Sequence, residues 1–140
     1  MTNTDTTSTT DDTTTDDGAG THTALLANYL EAWNTDDAGR RRAAIEATWT
    51  PDHEFTDPLA AATGHDELEA FITQVRGHYP GSTFRAVSGV DAHHDVARWR
   101  WELVTADGAV AAVGHDAVQV ADDGRIRRFI GFFGPPAPVA

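Results

Sequence analysis

The chain has 140 residues, of which 22 are acidic and 10 basic, so its formal net charge is −12 at pH 7, and it contains no cysteine. This length fits one globular domain. The lack of cysteine excludes a disulfide framework, a thiolate nucleophile and a cysteine zinc site. A strongly negative surface repels phosphate backbones, so we expect no nucleic-acid partner.

The composition of the first 20 residues differs from that of the rest of the chain. Residues 1–20 contain nine Thr and five Asp and no aromatic or branched aliphatic residue, which predicts a disordered acidic tail. We expect one folded domain over residues 21–134 and a frayed C-terminus over 135–140. No apolar run is long enough to span a membrane and no secretory signal is evident, so we expect no membrane partner and a cytoplasmic location. The Asp-rich, lysine-free composition is typical of a high-salt cytoplasm or a GC-rich genome.

The first predicted helix begins at Thr23, because apolar residues then recur at spacings of three and four, at Leu26, Tyr29, Leu30 and Trp33. Residues 34–37 break the pattern and can cap a second helix over residues 38–48. Its buried side is predicted to carry Ile45 and Trp49, while its solvent side carries Arg40, Arg41 and Arg42.

The clearest helix follows Gly64 and closes at Pro80, with an apolar stripe formed by Leu68, Phe71, Ile72, Val75 and Tyr79. A short strand precedes it and ends at Pro58, which places His53, Phe55 and Asp57 on one face. Four further strands are predicted over residues 84–90, 96–105, 109–121 and 126–133. This order indicates an α+β domain in which helices cover one face of a curved antiparallel sheet.

Asp-Gly pairs in two connections predict tight turns and fix which strand residues lie opposite each other. The turn at 107–108 places Trp99 opposite Asp116 and Trp101 opposite Gly114, and the turn at 123–124 places Asp116 opposite Gly131. One face of the sheet then gathers Trp99, Trp101, Leu103, Phe129 and Phe133 around Asp116. A buried carboxyl group there must be protonated or have a partner. A glycine bulge at the second turn would instead invert the last strand.

Four segments resemble one known superfamily. Residues 28–33, 55–58, 64–71 and 116–126 are similar to the nuclear transport factor 2-like proteins, and within them to the SnoaL-like and ketosteroid isomerase-like branches. The resemblance covers residues 22–134. It implies a cone-shaped fold in which a strongly bent sheet wraps the helices and encloses an apolar pocket, and a homodimer formed through the outer sheet face.

The resemblance also implies roles for three side chains. In the ketosteroid isomerase branch, the residue matching Asp57 is the base, and those matching Tyr29 and a protonated Asp116 hold the substrate oxyanion. It implies neither cofactor nor metal. The residues expected to contact a small hydrophobic cyclic substrate are Trp33, His53, Phe55, Phe71, Trp99, Trp101, Leu103, Phe129 and Phe133. With three tryptophans lining it, the pocket suits a ligand smaller or flatter than a steroid.

Each candidate also has a purely structural interpretation. Tyr29 fits a core aromatic residue, and Asp57 fits a turn-forming carboxylate before a proline. Asp116 fits a buried carboxylate that accepts hydrogen bonds from Tyr29 or an indole. His53 fits a half-buried structural histidine.

These residues support three functional hypotheses. The first is an enzyme that moves a proton next to a carbonyl, by isomerisation or aldol-type cyclisation, as in ketosteroid isomerases and polyketide cyclases. The second is a non-catalytic binding protein or dimeric interaction module with the same fold. The third is hydrolysis by water that Asp116 activates.

Overall fold

The computed structural model describes the backbone of residues 14–139 and the side chains from residue 22 to residue 139. Its three helices are α1 (Thr14–Asn34), α2 (Ala38–Thr48) and α3 (Gly64–His78). Its seven strands are β1 (Trp49–Asp57), β2 (Ala60–Thr63), β3 (Thr83–Ala86), β4 (Asp91–His93), β5 (Val96–Val104), β6 (Val110–Val120) and β7 (Ile126–Phe133). The α+β class is confirmed, as is the packing of the helices against one face of a strongly curved, unclosed sheet.

The helices form where the apolar spacing predicts them. The stripe on α1 is buried at Leu26, Tyr29 and Trp33. The α2 helix has the predicted bounds, and the side chain of Asp37 caps it by accepting a hydrogen bond from the backbone N–H of Arg40. The α1 helix begins at Thr14 rather than Thr23, so residues 14–20 of the predicted tail belong to it. Residues 1–13 of that tail lie outside the described residues.

The prediction that Arg41 faces solvent is wrong. Its side chain is buried between the helices, where Nη2 donates to the carbonyl oxygen of Thr35 at 2.9 Å and Nη1 donates to Oγ1 of Thr73 at 3.0 Å. It therefore ties the α1–α2 connection to α3. Its neighbours Arg40 and Arg42 do reach the surface and form ion pairs there.

The sheet has the strand order β2-β1-β7-β6-β5-β3, with β4 also paired to β5. All pairs are antiparallel except β1 with β7, which is parallel and was not predicted. The single strand predicted over residues 84–90 is wrong, since β3 ends at residue 86 and a separate strand covers residues 91–93. The strand β2 was not predicted, because its Ala-Ala-Ala-Thr sequence has weak strand propensity.

The predicted register of the central hairpins is observed, although the turns differ from the prediction. Trp99 lies opposite Asp116, and Asp116 lies opposite Gly131. Each turn is wider than two residues and places its glycine, Gly108 or Gly124, at positive φ. A one-residue shift in the adjoining strand pair, next to Leu103 in the first hairpin and Val120 in the second, cancels the extra turn residue.

The C-terminal residues 134–139 form neither helix nor strand. Within the described part of the chain, no helix is long and apolar enough to cross a membrane.

Candidate active site

Asp116 lies at the centre of the buried face of β6 and accepts three hydrogen bonds from side chains. Its Oδ2 atom accepts from the hydroxyl of Tyr29 at 2.7 Å and from Nε1 of Trp99 at 3.1 Å. Its Oδ1 atom accepts from Nε1 of Trp101 at 3.0 Å. The helix α1 supplies Tyr29, and the strand β5 supplies both indoles from positions two residues apart, because alternate residues of a strand share one face.

Burial controls the ionisation of this group. Asp116 is only 2% exposed, and the loss of hydration raises its pKa to about 7. The negative charge of Asp57 raises the pKa further, whereas the hydrogen bonds from Tyr29, Trp101 and Trp99 oppose the rise. Asp116 therefore exchanges a proton in the neutral range of pH.

The hydrogen bonds also indicate where that proton resides. Two donors occupy Oδ2 of Asp116, while Oδ1 receives only the indole of Trp101. A carboxylate oxygen has two lone pairs. The proton of the neutral form is therefore expected on Oδ1.

Gly131 separates Oδ1 of Asp116 from the second carboxyl group of the site. A Cβ atom built on Gly131 would lie 3.2 Å from Oδ1 of Asp116 and 3.1 Å from Cβ of Asp57. The parallel pairing of β1 with β7 brings Asp57 to this position. Both acids therefore border the same glycine of β7.

Asp57 is held by the backbone that follows it. Its Oδ1 atom accepts hydrogen bonds from the backbone N–H groups of Leu59 at 2.8 Å and Ala60 at 3.0 Å. Partial burial raises its pKa above the ordinary value, and these two hydrogen bonds limit the rise. The turn-forming interpretation of this residue thus agrees with the structure, and the same carboxyl group also borders a cavity.

That cavity has a volume of about 80 Å³ and lies between α1, α3 and the curved sheet. Ten of the residues that line it were expected at the site, namely Tyr29, Trp33, Phe55, Asp57, Phe71, Trp101, Leu103, Asp116, Phe129 and Phe133. Five others were not singled out, namely Leu59, Val75, Tyr79, Phe84 and Ala112. Two of these five, Val75 and Tyr79, belong to the predicted apolar stripe of α3, so that stripe could have identified them.

Two expected ligand-contacting residues are absent from the described lining. Trp99 does not line the cavity, although its indole donates a hydrogen bond to Asp116. His53 is fully buried, with Nε2 2.9 Å from the carbonyl oxygen of Gly64 and its ring stacked on His65. Burial lowers the pKa of His53, so the neutral ring is favoured at neutral pH.

The residues of the described chain contain no group of three or more His, Cys, Asp or Glu arranged to hold a metal ion. The cavity lining offers two carboxyl groups, two phenols and an otherwise apolar and aromatic surface. Side chains of this kind can transfer protons and donate hydrogen bonds to an oxygen atom.

Comparison with known proteins identifies the family. The model of the SnoaL-like domain matches residues 26–129. The chain belongs to the SnoaL-like family. No significantly similar sequence was found among the curated proteins.

Solved structures resemble this SnoaL-like protein over most of its length. A candidate isomerase of the SnoaL-like family from Agrobacterium tumefaciens is 32% identical, with a TM-score of 0.79 and coverage of 83% of this chain and 99% of that one. A nuclear transport factor 2-like protein of unknown function from an Exiguobacterium species is 18% identical, with a TM-score of 0.65 and coverage of 80% and 99%. A candidate polyketide cyclase from Sinorhizobium meliloti is 16% identical, with a TM-score of 0.62 and coverage of 77% and 93%. The latter two, at such low identity, show the fold alone.

Proposed function

We propose that this SnoaL-like protein catalyses cofactor-free proton transfer next to a carbonyl group of a small hydrophobic cyclic substrate, by isomerisation or aldol-type cyclisation. The observation that carries the proposal is the placement of Asp57 and Asp116 on either side of Gly131, facing one apolar cavity. Two carboxyl groups whose surroundings differ are suited to act as a base and an acid in the same site. The candidate isomerase from Agrobacterium tumefaciens is compatible with this chemistry.

Asp57 acts as the base in the proposed reaction. Its carboxylate removes a proton from the carbon next to the carbonyl, and the electron pair of that C–H bond moves toward the carbonyl oxygen. Partial burial raises the pKa of Asp57, which makes it a stronger base than an exposed carboxylate. Protonated Asp57 then returns the proton at another carbon, which completes an isomerisation. In a cyclisation, the enolate carbon instead attacks a second carbonyl group, whose π electrons move onto its oxygen. Protonated Asp57 then gives its proton to that alkoxide, which restores the carboxylate.

Asp116 stabilises the oxygen on which the negative charge develops. In its neutral form it donates from Oδ1, the oxygen that faces Gly131. The hydrogen bonds of Tyr29, Trp99 and Trp101 are directed at Asp116 itself. We therefore assign Tyr29 the role of a positioning residue, in place of the direct donor that the family resemblance implies. A fixed donor in a site with little water stabilises an enolate more than water does.

Hydrogen–deuterium exchange tests the chemical step without knowledge of the natural substrate. Cyclohexanone in D₂O is followed by proton NMR, and the protein is expected to accelerate exchange at the carbons next to the carbonyl. Asp57→Asn is expected to abolish the acceleration, and Asp116→Asn to reduce it. The exposed variant Asp52→Asn, on the same strand, serves as the control. Exchange at the buffer rate with wild-type protein would contradict the proposal.

The affinity for phenols tests stabilisation of the oxyanion. Phenols of similar shape but increasing acidity resemble enolates of increasing negative charge, and tryptophan fluorescence reports their binding to a site built around Trp101. We use the Asp57→Asn background, which removes the charge that repels a phenolate. Affinity is expected to rise with acidity and to lose this dependence when Asp116→Asn is added.

A second candidate function is ligand binding without catalysis. The observation that favours it is that three protein donors already satisfy Asp116, as in a structural buried carboxylate. This function predicts bound phenols whose affinity does not depend on acidity, together with no acceleration of exchange.

We also propose that two copies associate through the outer face of the sheet. Phe132 and Val113 are exposed there, on the face opposite the cavity, and such apolar side chains are typical of subunit contacts. Sedimentation is expected to show a dimer for the wild type and a monomer for Phe132→Asp.

A further inference from the structure

The charge of the cavity lining restricts what it can bind. Asp57 and Asp116 are acidic, and none of the other described lining residues is Arg, Lys or His. A bound carboxylate or phosphate group would therefore face two acids and no compensating cation. Burying an unpaired charge in such surroundings is costly, and like charges a few ångströms apart repel strongly when water is excluded.

A positively charged group on the ligand is disfavoured for a different reason. Proton transfer as proposed requires neutral Asp116, whereas a cation beside it favours the charged form. The three protein donors already stabilise that carboxylate without any help from a ligand. Neither sign of charge is therefore favoured on the part of the ligand that enters the cavity.

The size of the cavity restricts the ligand further. Its volume of about 80 Å³ is roughly half that of the cavity of about 150 Å³ that holds benzene in another protein. Aromatic contacts set this size, because Trp33 packs against Phe71 and Phe84 at 5.9 and 5.0 Å between ring centroids. A single six-membered ring would fill the cavity and extend into its mouth.

The mouth is apolar and open. The side chains there are Leu59, 67% exposed, and Tyr79 and Phe133, each 41% exposed. They come from the β1–β2 connection, the C-terminal end of α3 and the end of β7. A ring that emerges from the cavity would contact them and cover apolar surface that water otherwise wets.

We infer that the cavity binds an uncharged compound with a single ring, whose oxygen lies beside Asp116 and whose opposite edge lies between Leu59, Tyr79 and Phe133. The position of the oxygen and the exclusion of a cation rest on the proposed function, whereas the limit on size and the exclusion of an anion rest on the lining. Compounds with a second ring fused beside the oxygen are excluded, as are those with a carboxylate or ammonium group on the ring.

Calorimetric titration of the wild-type protein with matched phenols tests both limits. For size, phenol is compared with 1-naphthol, in which the second ring lies beside the hydroxyl. For charge, 3-hydroxybenzamide is compared with 3-hydroxybenzoate and 3-hydroxybenzylamine, which have similar shapes. We expect phenol to bind about tenfold or more tightly than 1-naphthol, and the amide to exceed both charged compounds by a similar factor.

A substitution in the cavity wall tests whether the lining side chains cause the size limit on the ligand. Phe71→Ala removes a half-buried ring that lines it and is expected to reduce the preference for phenol over 1-naphthol. If the Phe71→Ala protein does not fold, Phe133→Ala at the exposed mouth is tested instead. This variant is expected to weaken phenol binding. Val87→Ala, exposed and away from the described lining, is expected to leave the affinities unchanged.

The outcomes separate this inference from the proposed function. Binding of 1-naphthol as tight as that of phenol, binding of a charged phenol as tight as that of the amide, or no binding of phenol would overturn the inference. None of these results alters the exchange of cyclohexanone protons, which tests the function. Conversely, an absence of exchange together with the expected size and charge ratios would reject the catalytic function and leave the ligand class standing.

Discussion

The hydroxyl of Tyr29 donates a hydrogen bond of 2.7 Å to Asp116, which follows it by 87 residues. This bond joins α1 to the centre of the sheet and couples the ionisation of the two groups. Burial and the charge of Asp116 raise the pKa of Tyr29 well above 10, so the phenol keeps its proton at every pH where the protein is expected to act. Asp116 is therefore the member of the pair that titrates.

Replacing Tyr29 by Phe is expected to raise the pKa of Asp116 above about 7, because the hydrogen bond from Tyr29 stabilises the charged form. The aromatic ring, stacked on Phe129, stays in place and preserves the packing. Carbon NMR of labelled aspartate carboxyl groups measures the shift. Tyr79→Phe, which changes another phenol of the lining, is the control. An unchanged or lower pKa in Tyr29→Phe would show that this hydrogen bond does not stabilise the carboxylate.

The raised pKa of Asp116 also predicts how stability depends on pH. The folded chain holds a proton up to about pH 7, whereas the unfolded chain releases it near the ordinary value of 3.8. The contribution of Asp116 is therefore complete below about pH 4 and is lost as the pH rises toward 7, by up to about 1.4 kcal/mol per pH unit.

Urea unfolding at pH 5, 6, 7 and 8, compared between the wild type and Asp116→Asn, isolates this effect. His53 changes stability in the opposite direction, because its lowered pKa makes protonation unfavourable in the folded state, but it does so in both proteins. The variant is expected to gain stability relative to the wild type between pH 5 and 7. Parallel curves would mean that Asp116 has an ordinary pKa.

The sequence was informative wherever a local pattern determined the structure. The stripe of α1 placed Tyr29 in the core, and strand alternation together with the Asp-Gly pairs placed Asp116 among Trp99 and Trp101. The register agreed with the prediction even though each turn contains one more residue than assumed, because a shift in the adjoining strands restores it. Alternation of buried and exposed side chains explains this outcome, since a slip of one residue would turn Asp116 and both tryptophans toward solvent.

The sequence was less informative where distant parts of the chain meet. The parallel pairing of β1 with β7 brings Asp57 to Gly131, and no local pattern encodes a contact between strands so far apart. The burial of Arg41 has a similar cause. Three adjacent arginines look alike in sequence, and only the packing of α3 against α2 selects the middle one. His53 lies on the strand face predicted for it. Its hydrogen-bond partner, the carbonyl oxygen of Gly64, lies at the start of α3, and the strand pattern does not reveal this contact.

Arg41 and Arg40 allow the stability contribution of buried hydrogen bonds to be compared with that of a surface ion pair. Arg41→Met is expected to destabilise the protein by about 1–3 kcal/mol, because it removes hydrogen bonds to Thr35 and Thr73 from a buried interface. Arg40→Met is expected to change stability by no more than about 0.5 kcal/mol, because the Arg40 side chain is 68% exposed and its ion pair with Glu31 lies in solvent. Urea unfolding of both variants measures the difference. Equal effects would imply that the buried contacts of Arg41 are no stronger than a surface ion pair.

Gly131 is the residue that lets the two acids approach each other. In Gly131→Ala, the new methyl group would lie 3.1 Å from Cβ of Asp57 and 3.2 Å from both Oδ1 of Asp116 and a ring carbon of Phe129. All three contacts are shorter than ordinary van der Waals contact, so we expect the carboxyl groups to move apart. Proton exchange of cyclohexanone is then expected to slow by tenfold or more, since small displacements of positioned groups cost large factors in rate.

The matched control for this substitution is Gly89→Ala, whose new methyl group would have no neighbour within 4 Å. It is expected to keep the wild-type exchange rate. Thermal unfolding of both variants shows whether the Gly131→Ala protein remains folded, and the fluorescence titration with phenols shows whether the cavity still binds. A folded Gly131→Ala protein that exchanges cyclohexanone protons at the wild-type rate would mean that the spacing of Asp57 and Asp116 does not control the reaction.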